Sequence, residues 1–249
     1  MRWATCSVVL GFLLTGVVHA KSAETLTDAQ ILQRADLSRG RLPNAAWNVE
    51  IITDSNSSAE NVRLELRARD SDYLANYLAP PRQKGDKLLM VEGNMWFYKP
   101  GLSKPVPISQ RQKLSGTAAY GDISGTNYAD DYESERQPND NRRGEPCYVF
   151  ALKAKPGRLT TYDHIRVWVS KKRLVSIRAE YFTVSGKLFK SVELDYDQKL
   201  QYKGEKIPFV SEARFVDEVM NKAVTVMKVS SPHVTEADDS MFDVGFLTQ

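Results

Sequence analysis

HIRVWVSKKRLVSIRAEYFTVSGKLFKSVELDY, residues 164–196, decides the fold. Ile165, Val167 and Val169 alternate with Arg166, Trp168 and Ser170. Val175, Ile177, Ala179 and Tyr181 alternate with Ser176, Arg178 and Glu180. Beyond Gly186 the period-2 pattern resumes through Leu188, Lys190, Val192, Leu194 and Tyr196, and Val184-Ser185-Gly186-Lys187 reads as the turn between two strands. Strict alternation with short breaks marks antiparallel strands that press one face on a core.

Working outward, Val62, Leu64, Leu66 and Ala68 alternate with Arg63, Glu65, Arg67 and Arg69, and similar runs occupy 46–53, 73–79, 86–92, 94–99, 147–154, 207–217 and 222–230. Ahead of them, Thr27-Asp28-Ala29-Gln30 reads as a capping box, Ile31, Leu32, Ala35 and Leu37 as a helical apolar stripe, and Gly40 as its stop. With no βαβ alternation and no repeat, about ten strands after one helix must curl or close, because a flat open sheet leaves a face and two edges bare. The expectation is an α+β, mainly antiparallel fold: a strongly curved, unclosed β-barrel whose N-terminal helix and short helices cover the concave face. It is read as one domain over residues 21–249.

The first twenty residues read separately. Arg2, an apolar run from Val8 to Val18 and the closing Val18-His19-Ala20 resemble the three regions of a secretory signal peptide cleaved after Ala20. The apolar run is about half of what a spanning helix needs. An exported chain is expected. Of two cysteines only Cys147 lies beyond this segment, which excludes an internal disulfide and a cysteine-rich zinc site. A formal net charge of +3 gives no reason to propose nucleic acid as a partner.

Catalytic patterns fail in turn. Beyond residue 20 the histidines are His164 and His233, on separate strands, and no zinc-protease helix, nucleophile elbow, P-loop or dinucleotide fingerprint is present. Cys147 opens the apolar strand Cys147-Tyr148-Val149-Phe150 and reads as a small buried hydrophobe. The acidic stretch at 115–135 holds Asp122, Asp130, Asp131, Glu133 and Glu135. Counted from Asp122, the third, fifth and seventh residues are Ser124, Thr126 and Tyr128, which is too few carboxylates for a calcium loop. No enzyme activity, metal or cofactor is expected.

Met95-Trp96-Phe97-Tyr98 is apolar on both faces of its strand, so both must be covered, either by ordinary core or by a cavity for an apolar ligand. Alternation sets Trp96 with Tyr98 and Met95 with Phe97. The Tyr98 hydroxyl suits a wet boundary, which assigns Trp96 and Tyr98 to the cavity, with Trp47, Trp168 and Phe182 as further candidate lining residues.

Gly93-Asn94-Met95-Trp96-Phe97-Tyr98-Lys99-Pro100, Pro107-Ile108-Ser109, Gln112-Lys113-Leu114-Ser115-Gly116, Gly121-Asp122-Ile123 and Asn127-Tyr128-Ala129-Asp130-Asp131-Tyr132 together resemble the central signature of the outer-membrane lipoprotein-sorting proteins, a LolA-like branch of the LolA/LolB superfamily. The similarity runs in order through most of the chain after residue 20. It implies an unclosed barrel with helices over its mouth and a periplasmic, monomeric, non-enzymatic carrier whose interior accepts acyl chains of lipoproteins or other lipids and moves them towards the outer membrane. Gly116, Gly121, Asp122, Asn127, Tyr128, Asp130, Asp131 and Tyr132 then form a signature loop that is structural or a docking surface, with Asp122 and Asp130 capping short helices. The sequence departs from LolA at its key interior arginine: Arg63, Arg67, Arg166 and Arg178 all lie on polar strand faces. A second reading keeps the same barrel with a filled interior, as a periplasmic adaptor for an RND-type lipid exporter.

Overall fold

A computed structural model of the protein describes residues 26–53, 61–220, 222–236 and 238–249, so the signal-peptide reading lies outside the described residues. In chain order the elements are α1 (Asp28–Leu37), β1 (Ala45–Thr53), β2 (Val62–Arg69), β3 (Asp72–Ala79), β4 (Lys87–Val91), β5 (Asn94–Tyr98), β6 (Val106–Ile108), β7 (Lys113–Ser115), β8 (Ala118–Ala119), α2 (Tyr120–Ile123), α3 (Tyr128–Asp131), β9 (Tyr132–Arg142), β10 (Glu145–Ala154), β11 (His164–Ser170), β12 (Ser176–Phe182), β13 (Leu188–Asp195), β14 (Gln198–Tyr202), β15 (Glu205–Phe209), β16 (Glu212–Asp217) and β17 (Val224–Val234). Two short 3-10 turns, Asp239–Phe242 and Val244–Thr248, close the chain.

Thirteen strands form one antiparallel sheet in the order β6-β5-β4-β3-β2-β1-β17-β16-β13-β12-β11-β10-β9. The sheet is large, curved and open, since β6 and β9 do not pair. This is the expected architecture with more strands than expected. The additions are short or polar pieces, notably β9, whose sequence YESERQPNDNR shows no apolar alternation. The run at 207–217 divides into β15 and β16, because β14 and β15 leave the main sheet as a separate hairpin.

One cluster of buried residues joins Met95 of β5 to Phe150 of β10, strands near opposite edges of the sheet. Residues so far apart in strand order meet only on the inside of a curved sheet, so this face is the inner one. Ile31, Leu32 and Ala35 of α1 pack into the same cluster, as do Ala118, Ile123 and Tyr128 of the segment between β6 and β9. The helix is legible and well capped: Gln30 N donates to Thr27 Oγ1 at 3.3 Å and Thr27 N donates to Gln30 Oε1 at 2.8 Å.

The outer face carries two smaller clusters. Leu74, Leu89, Trp96 and Tyr98 pack under the C-terminal Phe242, Phe246 and Leu247. Cys147, Val149, Trp168, Val175 and Ile177 form the other. A strand apolar on both faces is therefore covered on both sides, by the inner core and by the chain's own C-terminus.

Candidate functional site

The inner face is closed by the segment 109–131, which carries β7, β8, α2 and α3. Two polar clusters hold it down. In the first, the buried Asp36 at the end of α1 accepts the amides of Tyr128 and Ala129 at 3.2 and 3.0 Å. Arg39, whose side chain is 8% exposed, donates to Asp36 Oδ1 and to the carbonyl oxygen of Thr126, both at 2.5 Å, while its guanidinium lies 3.8 Å over the Tyr128 ring. Burial pushes the Asp36 carboxyl above the usual carboxylate range, and Arg39 and the two amides oppose that push. Nearby, Arg41 donates to Asp130 at 2.5 Å.

In the second cluster Lys190, on β13, reaches Asp122 of α2, with both side chains buried. Tyr162 donates to Asp122 Oδ1 at 2.6 Å and accepts from Lys190 Nζ at 2.7 Å. Asp122 also accepts the Ala119 amide at 2.7 Å. The Tyr162 ring stacks on Tyr181 at 3.8 Å, and Lys190 Nζ lies 4.6 Å from the centre of the Phe215 ring. Burial, reinforced by Asp122, pushes the Tyr162 hydroxyl far up, so it stays a neutral donor and acceptor in this chain of bonds.

Between the segment and the sheet lies a cavity of about 50 Å³, lined by Arg39, Trp47, Asp122, Tyr128, Phe215, Met227 and others. At the rim a much larger open cleft of about 860 Å³ runs between β7–β8 and the β12–β13 turn, with Tyr162, Phe182, Phe189 and Lys190 in its wall. Clefts of several hundred cubic ångströms are the size of ordinary ligand sites.

The expected lining residues divide. Trp47 belongs to the inner cluster and lines the small cavity, edge-on to Phe209 at 5.5 Å. Phe182 is half-buried at the rim and lines the cleft. Trp96 and Tyr98 were expected on the cavity side and lie instead on the outer face, under the C-terminal turns. The inner residues of that strand are Met95 and Phe97. The Tyr98 hydroxyl finds a wet boundary on the outer face as well, where the C-terminal cover leaves Tyr98 half-buried. Trp168 is likewise corrected to the outer face, where it donates to Asp140 at 2.9 Å beneath the guanidinium groups of Arg142 and Arg178.

The signature residues are brought together in the closing segment. Asp122 and Tyr128 are in the two latching clusters. Asn127 caps α3 by accepting the Asp130 amide at 3.2 Å, which corrects the expectation that Asp130 is the cap. Asp131 lies 3.7 Å from Arg158, and Tyr132 donates to the Tyr162 carbonyl oxygen at 2.9 Å. Gly121 sits where a Cβ would come within 1.9 Å of Thr161 Oγ1, and Gly116 has φ +54° with Thr225 Oγ1 at 2.2 Å from its would-be Cβ. Both glycines are required by close approach. Among the described residues no group of three or more His, Cys, Asp or Glu could hold a metal ion.

Two interior cations were missed. Arg39 lies between the end of α1 and the Gly40 stop, where a basic residue reads as solvated turn. Lys190 carried a legible signal, since it occupies an apolar phase of the β13 alternation. Arg63, Arg67, Arg166 and Arg178 stay off the inner face, with Arg178 bonded to Glu180 and Glu193.

A family model described as an uncharacterized protein matches residues 69–249, and the chain belongs to that family. A LolA superfamily protein from Nitrosomonas europaea superposes with a TM-score of 0.78 at 26% identity, covering 89% of this chain and all of the other. The fold is LolA-like. Two further solved structures share the LolA-like fold: a DUF1329 family protein from Desulfovibrio piger (TM-score 0.72, 20% identity, 88% of this chain and 97% of the other) and an outer membrane lipoprotein-sorting protein domain from Vibrio parahaemolyticus (TM-score 0.74, 16% identity, 89% and 98%). A search of curated proteins finds no match to this LolA-like chain.

Proposed function

We propose that this LolA-like protein is a periplasmic, non-enzymatic carrier of acylated lipid or lipoprotein, exported by a signal peptide over residues 1–20 and acting as a monomer without a cofactor. The observation that carries the reading is an apolar inner face closed by a separate segment that a few polar bonds latch in place. Lifting that segment opens the face on which Trp47 and Phe215 sit. Each latching bond is worth roughly 1–3 kcal/mol, and a buried ion pair such as Lys190–Asp122 contributes little net against hydrophobic replacement. An acyl chain of about twelve methylenes returns on the order of 10 kcal/mol on burial. The gain is of the same order as the latching bonds that it offsets. Lipid extraction and native mass spectrometry of protein purified from cells test this. Protein that is lipid-free from every source and does not displace a fluorescent fatty acid would refute it.

The small volume of the inner cavity, about 50 Å³, favours a second reading in which the interior stays filled and the protein is an adaptor for a membrane exporter of the RND type. Under that reading, replacing the acids Asp130, Asp131 and Glu133 abolishes partner capture and leaves lipid content at zero throughout.

A further inference from the structure

The β12–β13 and β16–β17 turns carry apolar residues that no described residue covers. Val184 is 76% exposed, and in the neighbouring turn Val219 is 51% and Met220 67% exposed. Turns are normally built from Gly, Asn, Asp, Ser and Pro. The pairing of Lys190 with Asp217, and the bond from Glu218 N to the Phe189 carbonyl oxygen at 2.9 Å, set the two turns side by side.

Both turns are held in shape. Thr183 N donates to the Lys187 carbonyl oxygen at 2.9 Å and Gly186 N to that of Thr183 at 2.8 Å. Asp217 Oδ1 accepts the amides of Val219 and Met220 at 2.8 and 2.7 Å. The apolar side chains are therefore presented on hydrogen-bonded turns. Val184 and Asp217 are also part of the wall of the 860 Å³ cleft, so its mouth opens between the tips and β7. Three exposed lysines ring this edge: Lys113, Lys187 and Lys222, the last paired with Glu218.

We propose that these two turns form a membrane-docking edge that rests on an anionic bilayer surface and sets the cleft mouth against the lipid. Val184, Val219 and Met220 enter the interface, and the lysines meet lipid phosphates, an arrangement of apolar insertion plus basic attraction that holds proteins at membrane surfaces. The inference rests on the carrier reading for its purpose, since an edge beside an acyl-sized cleft is where a chain would pass between bilayer and protein. A protein partner is the competing occupant. Lys113 and Lys187, together with the continuity with a lipid-sized cleft, favour the bilayer.

Co-sedimentation of the full chain with vesicles of phosphatidylcholine and phosphatidylglycerol tests it, in wild type, in V184D/M220D and in V234D. Val234, 48% exposed at the far end of β17, is the control. The tips are exposed, so V184D/M220D should keep the wild-type melting temperature. It should bind vesicles at least about tenfold more weakly, while V234D binds as wild type does and added salt weakens wild-type binding. Wild-type protein that ignores anionic vesicles, or V184D/M220D that binds them equally well, overturns the proposal. So does cross-linking from position 184 to a protein in place of vesicle binding. Vesicle binding by protein that takes up no acyl chain would remove the carrier reading and leave the docking edge standing. Acyl uptake without vesicle binding would do the reverse.

Discussion

The Arg39 guanidinium donates to the carbonyl oxygen of Thr126 at 2.5 Å, tying the turn after α1 to the segment that covers the inner face. The two residues are 87 positions apart in the chain. Replacing Arg39 with Met removes this tie and leaves the buried Asp36 facing only two amides. Amide hydrogen exchange at Tyr128 and Ala129 should accelerate by at least about tenfold, in keeping with a lost charge-assisted bond. Unchanged protection there would show that the segment is held by apolar packing alone.

Lys190 and Asp122 form the deeper latch, and truncating one partner strands the other charge. Lys190→Met should cost about 3–5 kcal/mol in urea unfolding. The double variant K190M/D122N should cost clearly less than the sum of the two single changes. Additive losses would mean that the two groups do not interact in the folded state.

Gly121→Ala drives a methyl group into Thr161 Oγ1, at 1.9 Å from the would-be Cβ. Overpacking of this kind costs roughly 1–3 kcal/mol. Adding Thr161→Ala removes the clashing oxygen and methyl and should recover most of the melting temperature. A G121A protein as stable as wild type would mean that the closing segment does not sit against Thr161 in solution.

Trp96 is half-buried under the C-terminal turns, so Trp96→Ala should lower stability by about 1–3 kcal/mol and leave acyl-probe affinity per folded molecule unchanged. A selective loss of affinity would return Trp96 to the cavity.

Arg111 grips Asp163 with two bonds of 2.8 Å, joining the closing segment to the loop before β11. This grip holds the Asp163 carboxyl below its ordinary value of 3.8. A carboxyl depressed in the folded state adds stability above its unfolded pKa and loses it as pH falls through the folded one. Wild type should therefore lose stability relative to Arg111→Gln as the pH drops below about 4. Parallel acid limbs for the two proteins would exclude the grip as a contributor.

How far the sequence reaches can be judged from particular residues. Period-2 alternation from Ile165 to Tyr196 determines strands, a turn and the inner residues Val167, Tyr181, Val192 and Leu194, because a pleated strand with one buried face rewards that spacing. Val175 and Ile177, in phase with Tyr181, fall instead to the outer cluster, where the β11–β12 register shifts. Thr27 and Gln30 likewise determine where α1 begins, since both caps lie within one turn of backbone. The face of Trp96 was beyond reach. Its strand is apolar on both sides, and its cover comes from Phe242 and Phe246, whose short 3-10 turns carry no period. The burial of Arg39 and the pairing of Lys190 with Asp122 were decided by the tertiary structure alone. A basic side chain becomes interior when distant segments bring it a carboxylate and a carbonyl, and local sequence holds no record of partners 68 and 87 residues away.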